Sequence, residues 1–249
     1  MLRKFWIFLS YALVLFAVPQ VLAFAVGLGA TGVDWSSARR DASGLSPAPI
    51  SHSEAIVQVF AARTYGWRGN FASHSWIVTK EKGADAYIRS EVIGWRAYNG
   101  GNALVRRRGS PDNFWFGNSP ELVLEIRGLK AEKVIPKIEQ VIATYPHKSD
   151  YKLWPGPNSN SFIAHIGRQL PELEMDLPPT AIGKDYIIGD VFIDNAISGQ
   201  GFQFSVRGLG GFTVSPVEGL ELHLLGFTAG IDVDDSALKL PGFGRIPLY

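Results

Sequence analysis

Two residues with nucleophile and base chemistry stand at well-defined places in the chain, Ser159 and His74. Ser159 follows the turn sequence 154–158, and apolar residues stand three, four and seven positions after it. This spacing predicts a helix that begins here and turns Ser159 toward the interior. A hydroxyl near an imidazole is the minimal set for nucleophilic catalysis, whereas a helix cap by Asn158 or Ser159 is the simpler interpretation.

His74 lies in residues 73–79, whose alternation predicts a β-strand with His74, Trp76 and Val78 on one face. Residues 86–95 predict the next strand, paired with it as a hairpin. Glu91 and Ser90 fall on opposite faces of that strand, so only one of them can orient the imidazole, and we predict Glu91. The predicted site has Ser159, His74 and Glu91 as its catalytic residues and is lined by Asn158, Asn160, Trp76 and Trp154.

The segments that carry these residues resemble known families. A strand histidine followed much later by a helix reading Asn158-Ser159-Asn160-Ser161-Phe162 resembles the circularly permuted branch of the papain-like NlpC/P60 superfamily, which includes the lecithin:retinol acyltransferase-like proteins. Ser159 stands where that superfamily has its cysteine, and His74 where it has its histidine. The resemblance spans about 54–174 and implies a papain-like core with acyl-transfer chemistry.

A closer resemblance covers most of the chain from residue 34 onward and supplies no activity. The segments 61–64, 74–77, 156–160 and 181–185 resemble a bacterial family of membrane-anchored proteins with no known function.

Serine in place of cysteine changes the expected chemistry. A helix N-terminus stabilises an anion by up to ~2 kcal/mol, or about 1.5 pKa units. That suffices to ionise a thiol but not a hydroxyl, so Ser159 would need His74 as a general base. We therefore expect a non-catalytic binding or structural role in the cell envelope. The alternative is a hydrolase or acyltransferase that acts on an envelope peptide or lipid through Ser159 and His74.

Composition narrows the classes of partner. The chain has 249 residues, 46% of them hydrophobic, and a net charge of +1, which is too weak a field to attract nucleic acid. It contains no cysteine, which excludes disulfides, thiolate metal sites and thiol nucleophiles. Its histidines lack the spacing of metal ligands, so we expect neither a metal nor a cofactor.

The N-terminal segment, residues 1–33, has no charged residue after Lys4. A run of this length is enough to span a bilayer. The alternative is a cleaved secretory signal that ends at Ala23 or Ala25. We favour an uncleaved single-pass anchor that places the body on the extracytoplasmic, periplasmic side. Residues 34–53, rich in Ser, Ala, Gly and Pro, predict a linker.

The body is predicted as an α+β fold with an antiparallel sheet and packed helices. The resemblance implies that residues 54–176 form the papain-like core, and the residue pattern there predicts a buried strand at 55–61 and a helix at 131–145. Residues 96–119 predict a long loop that contains Arg106, Arg107 and Arg108 and an aromatic group whose side chains fold back on the core. Residues 177–249 predict Gly-rich β-hairpins packed on the core. The glycines within 224–231 indicate either close backbone approach or a surface that lies on the bilayer, with Leu225 and Phe227 entering it.

Overall fold

The computed structural model describes residues 2–29, 32, 34–189 and 191–248, and it is an α+β fold built on two antiparallel sheets. The helices are α1 (Leu2–Val26), α2 (Gly94–Tyr98), α3 (Gly128–Thr144) and α4 (Ser159–Gln169), with 3₁₀ turns at Pro49–Ser51, Gly66–Asn70 and Pro171–Leu173. The first sheet contains β1 (Ile56–Arg63), β2 (Ser73–Lys80), β3 (Tyr87–Val92), β4 (Leu104–Gly109) and β5 (Pro120–Arg127). The second contains β6 (Ile193–Asn195), β7 (Phe202–Ser205), β8 (Gly210–Ser215), β9 (Gly219–Leu224), β10 (Phe227–Asp232), β11 (Ala237–Leu240) and β12 (Gly244–Pro247).

The first sheet has the strand order β4-β3-β2-β1-β5 and holds the apolar core. β1 and β2 lie at its centre, and their residues are buried apart from half-buried Arg63. The β-branched and aromatic side chains of β1 fit a strand that is covered on both faces. The predicted hairpin of β2 and β3 is confirmed, with Ile77 opposite Ser90.

Helices α3 and α4 cover one face of this sheet. α3 contributes Val134, Ile135, Ile138 and Ile142 to the core, as its apolar spacing predicts, and α4 contributes Phe162 and its neighbours. The helix begins at Gly128, three residues before the predicted start. The opposite face carries a second apolar cluster around Phe60 and Trp76.

The prediction of a loop over residues 96–119 is wrong in part, because β4 lies inside it and carries the arginine triplet. Each arginine pairs with an acid: Arg106 with Glu139, Arg107 with Glu91, and Arg108 with Asp85. Long charged side chains on an edge strand keep their head groups in water, so this strand shows no alternation of apolar and polar residues. The aromatic group does fold back, since Trp115 packs against the second cluster.

The predicted linker, residues 34–53, contacts the core. Asp112, which is buried, accepts hydrogen bonds from the Ser43 hydroxyl and from the backbone N–H groups of Leu45 and Ser46 at 3.0, 2.6 and 3.1 Å. Ala42 also forms a β-bridge with Asn113. The segment therefore lies along the core rather than separating it from the N-terminal helix.

The second sheet has its polar side chains on the inside. Its strands follow in the order β12-β11-β10-β9-β8-β7-β6. Most side chains that face the core are polar or charged, and these six are at most 3% exposed: Gln203, Thr213, Glu221, His223, Asp232 and Lys239. The outward side chains of β7 to β10 are apolar, and these six are at least 36% exposed: Phe202, Phe212, Val214, Leu220, Leu222 and Ile231. Polar and apolar side chains thus alternate regularly along these strands, but the alternation is inverted: the polar ones face the core and the apolar ones face outward.

Buried ion pairs join the second sheet to the core. Glu221 Oε1 accepts from Lys184 Nζ at 2.8 Å and from Lys239 Nζ at 2.9 Å. Lys239 also contacts Asp176 at 2.7 Å. Burial raises the pKa of Glu221, but the charges of Lys184 and Lys239 outweigh it and hold that pKa at about 2. Ion pairs therefore lie at the centre of the contact between the second sheet and the core.

Helix α1 lies against the body at its C-terminal end. Phe24 stacks on Phe71 with ring centroids 6.1 Å apart, and a Cβ at Gly242 would come within 2.8 Å of the Ala23 Cβ. Within the described residues, we find no helix with the length and apolar character needed to cross a membrane. Residues 1, 30, 31 and 33 of the predicted N-terminal segment lie outside the described residues, and the single-pass anchor stays a prediction.

Candidate functional site

The start of α4 is fixed by its own cap. Asn158 Oδ1 accepts from the N–H groups of Asn160 and Ser161 at 2.9 and 3.1 Å, and Ser161 Oγ accepts from the Asn158 N–H at 3.3 Å. This reciprocal arrangement is a capping box. Ser159 is therefore the first helical residue, and its side chain is 4% exposed, as the apolar spacing of the helix predicts.

Asn160 ties this helix start to one face of β2. Its amide oxygen accepts from the Ser75 hydroxyl at 2.8 Å, and its nitrogen donates to the carbonyls of Ser73 at 3.0 Å and Ile182 at 2.8 Å. Asn158 donates to the same Ile182 carbonyl at 3.0 Å. The side chain of β2 that reaches α4 is thus Ser75, the neighbour of the predicted base.

His74 points from the opposite face of β2. Successive strand residues face opposite sides, and His74 shares its side with Trp76, whose ring stacks on it at a centroid distance of 5.8 Å. Its Nε2 lies 2.9 Å from Glu91 Oε2. An ionised carboxylate only accepts, so Nε2 carries the proton and Nδ1 keeps its lone pair. The structure brings His74 and Glu91 together.

Burial favours a neutral imidazole in this pair. Burial lowers the pKa of His74 by more than the hydrogen bond to Glu91 raises it. For Glu91, burial raises the pKa, but the hydrogen bond from His74 and the charge of Arg89 outweigh it and hold the pKa at about 2. Arg89 binds both oxygens of Glu91 at 2.9 and 2.7 Å, and Arg107 adds a contact at 3.1 Å.

Two aromatic rings, Trp115 and Trp76, pack against the imidazole. Trp115 stacks on His74 with a centroid distance of 3.8 Å and an interplanar angle of 14°. Behind it, Arg89 lies 4.0 Å above the ring of Trp76. The imidazole is therefore fixed in orientation by stacking as well as by Glu91.

The structure does not join Ser159 to His74. In the described part of the chain, the Ser159 hydroxyl makes no hydrogen bond, and the only polar partner of the imidazole is Glu91. The imidazole and the helix contact at Asn160 lie on opposite faces of β2. The two residues share only the border of a cavity that passes the end of this strand.

This aromatic cavity has a volume of about 730 Å³, which is the size of a small-molecule site. His74, Ser159, Asn158 and Asn160 form its polar border, and the only formally charged side chain among its described lining residues is Arg68. The aromatic lining residues are Trp35, Tyr65, Trp67, Phe71, Trp95, Tyr98, Trp115, Phe116, Tyr151, Trp154 and Phe227. Its composition suits an apolar ligand with one polar end.

Trp76, predicted to line the site, does not line the cavity, because it is fully buried beneath His74 and its indole N–H donates to the Pro111 carbonyl at 2.7 Å. His165 on α4 is half-buried beside Tyr145, and burial lowers its pKa to about 4. Trp154 does line the cavity, and its indole N–H donates to the Leu225 carbonyl at 2.7 Å.

Sequence reasoning missed Arg89 and Trp115. Arg89 stands two residues before Glu91 on the same strand, so alternation alone places it on the side of His74. No comparable signal exists for Trp115, because its contact with His74 depends on how a loop folds back. Among the described residues, no group of three or more potential metal ligands comes together.

A family model described as "Protein of unknown function (DUF3750)" matches residues 54–186. The match includes β1 to β5, α3, α4 and the segment that carries Ile182, and it ends before β6. Comparison with curated proteins and with solved structures returns no match.

Proposed function

We propose that this chain, which belongs to the family of proteins of unknown function DUF3750, binds an acyl-chain ligand in its aromatic cavity. The observation that carries the proposal is the cavity itself, about 730 Å³ in volume and walled by aromatic side chains. Apolar surface removed from water contributes roughly 25 cal/mol per Å², so a long acyl chain gains most from such walls. We place the ligand among envelope lipids.

Arg68 suggests the chemistry of the polar end. Its guanidinium lies 5.1 Å from the ring centroid of Trp67 and forms no ion pair with an acid in the described part of the chain. A carboxylate or another anionic head group of the ligand would form an ion pair with this guanidinium. The neutral imidazole of His74 adds no charge, because burial lowers its pKa. We therefore propose a fatty acid or an anionic lipid.

The direct test is a titration with a fluorescent fatty acid, cis-parinaric acid, and with its methyl ester. Leu153 lines the cavity and is 52% exposed, so Leu153→Arg would put a charge among the aromatic walls with little effect on folding. We expect at least about a tenfold loss of affinity for both probes. Arg68→Gln should weaken the acid about tenfold and leave the ester unchanged.

The matched control is Leu129→Arg, since Leu129 is an exposed leucine on α3 outside the cavity. Its affinity for both probes should equal that of the unmodified protein. Equal affinity in Leu153→Arg, or no binding by the unmodified protein, would contradict the proposal.

Catalysis by Ser159 and His74 in a papain-like core is the second candidate. It is supported by a neutral imidazole whose Nδ1 keeps its lone pair, on the border of a cavity that Ser159 also lines. The opposed faces of β2 argue against direct proton transfer between the two residues. A fluorophosphonate probe separates the candidates. Labelling that Ser159→Ala and His74→Ala both abolish establishes the enzyme, whereas labelling unaffected by Ser159→Ala removes it.

We also propose that α1 holds the body at the membrane, on its extracytoplasmic side. Support comes from exposed apolar side chains along the helix, such as Tyr11, Leu13 and Val21 at 72, 62 and 67% exposure. Mass spectrometry of the mature protein should find the N-terminal residues, and the protein should stay with the membrane fraction after a high-salt wash. Recovery of a chain that starts near Phe24, in the soluble fraction, would refute this part.

A further inference from the structure

We infer that the outward face of β7 to β10, called the outer face below, is a second membrane-docking surface that lies against the hydrocarbon of a lipid bilayer. The inference concerns a region beyond the segment that the family model matches. It does not depend on ligand binding in the aromatic cavity.

Strand register makes the outer face continuous. Phe202 pairs with Val214, Val214 with Leu220, and Leu220 with Ile231, so one apolar row crosses four strands. A parallel row runs through Phe204, Phe212 and Leu222 and ends at Ala229, which is buried. Phe212 contacts Phe202 and Phe204 with ring centroids 5.9 and 5.8 Å apart. The whole sheet of seven strands is about 29 Å wide at ~4.8 Å per strand.

The chemistry of the outer face selects lipid over a protein partner. All outward side chains of β7 to β10, each of them described, are apolar or glycine, and none can form a hydrogen bond. Protein interfaces carry roughly one hydrogen bond per 100–200 Å² and place polar groups among apolar ones. Hydrocarbon is the partner that demands neither charge nor hydrogen bonds. The inverted alternation is thus explained if the outer face is not in water.

The outer face continues into α1. The last turns of α1 pack beside the turn that contains Gly242 and stack Phe24 on Phe71. Phe227 belongs both to the outer face, opposite Leu224, and to the wall of the aromatic cavity. The exposed helix, the outer face and the mouth of the cavity therefore adjoin one another.

Two tryptophans mark the edge of this surface. Trp67 and Trp154 line the cavity mouth and are 59 and 48% exposed. The indole N–H of Trp154 donates to Leu225 in the turn between β9 and β10. Tryptophan is enriched where a membrane meets water, because one end of the indole is apolar and the other polar. With the outer face on lipid, an acyl ligand would enter the cavity directly from the bilayer, and that last step rests on the proposed function.

The absence of cysteine in the chain permits a direct measurement. The full chain carrying Leu222→Cys is labelled with an environment-sensitive nitrobenzoxadiazole dye and mixed with vesicles of phosphatidylethanolamine and phosphatidylglycerol. We expect a blue shift and a rise in emission when vesicles are added. Leu129→Cys, which puts the dye on an exposed leucine of α3, should show neither.

A label at Leu13→Cys reports separately on α1, because Leu13 is exposed on that helix. If the dye at residue 13 enters lipid and the dye at residue 222 stays in water, the outer-face inference is wrong and the α1 proposal stands. The reverse result refutes the α1 proposal alone. Val214→Cys, on the neighbouring strand, repeats the test, and circular dichroism confirms that each variant is folded.

A second copy of the chain is the competing occupant. A blue shift without vesicles that grows with protein concentration, together with a doubled mass by light scattering, would overturn the inference. As an independent measure, Leu222→Lys should reduce partitioning into these vesicles by at least about tenfold, whereas Leu129→Lys should leave it unchanged.

Discussion

The two sheets of this protein bury opposite kinds of side chain. The first encloses Val57, Val59 and Ile77 between the strands and helices α3 and α4. The second turns Glu221, His223 and Lys239 toward the core and its leucines toward the outside. Alternation is regular in the second sheet although its polar side faces the core, so a pattern of period two fixes which residues share a face but not which face is inside.

The two sheets are also stabilised by different interactions. Burial of apolar surface stabilises the first sheet. The second sheet depends on charge pairs that are costly to bury and costly to break. Four substitutions test this contrast.

The largest loss should follow Glu221→Gln. It leaves the ammonium groups of Lys184 and Lys239, which now contact Glu221 at 2.8 and 2.9 Å, without their shared carboxylate. Breaking a buried pair in this way costs about 3–5 kcal/mol of the free energy of unfolding, measured by urea denaturation. Glu132→Gln removes the partly exposed partner of Lys82 and should cost at most ~1 kcal/mol. Equal losses would show that charge pairs do not hold the second sheet.

Ile138→Ala tests the first sheet. Ile138 is fully buried in the apolar core on α3. The substitution removes buried methyl groups and leaves a cavity, and we expect a loss of about 2–5 kcal/mol in the same assay. A loss below ~1 kcal/mol would mean that this core does not carry the stability assigned to it.

Asp185→Asn should stabilise the protein, and by more as pH rises toward neutral. Asp185 is fully buried, and within the described structure neither carboxylate oxygen has a hydrogen-bond partner. Burial raises its pKa from 3.8 to about 7, against the opposing charges of Lys184 and Arg168 and with the added repulsion of Glu221. Between these two values the folded protein keeps a proton that the unfolded chain has lost, so stability falls as pH rises.

We expect Asp185→Asn to raise the free energy of unfolding at both pH 5 and pH 8, and by about 1–3 kcal/mol more at pH 8, because most of the interval between the two pKa values lies above pH 5. Urea denaturation at both pH values checks this. The same difference at both would mean that the carboxyl group does not titrate in this window.

The smallest effect should come from Leu222→Ala. Leu222 is a leucine at the centre of the second sheet, yet it is 46% exposed on the outer face. In detergent-free buffer without vesicles, we expect a change within about ±0.5 kcal/mol. A loss near that of Ile138→Ala would show that the outer face is packed against protein in solution.

The sequence was informative where one residue type has one role. Asn158 caps α4, the β2–β3 hairpin forms, and Glu91 meets His74, all of which follow from capping preference and alternation. The sequence was uninformative where a side chain lies in a setting that is unusual for its residue type. Three successive arginines conceal β4, and the leucines of β9 suggest a core-facing strand although they face outward.

The candidate site shows the same limit at a finer scale. Alternation predicted correctly that His74 and Trp76 share a face, but it could not show that α4 packs on the other face, beside Ser75. The distance between two elements far apart in the chain depends on packing that local patterns do not encode.

The close approach of Gly183 to Asn158 also limits which substitutions these two positions can accept. A methyl group at residue 183 would come within 2.3 Å of the Asn158 amide nitrogen, at a backbone φ of +92°. Only a smaller residue at 158 would make room, and that residue would lose the amide that caps α4 and binds Ile182. A serine at residue 158 would still cap the helix but could not donate to the Ile182 carbonyl, so making room for a side chain at 183 removes one of the contacts that position α4.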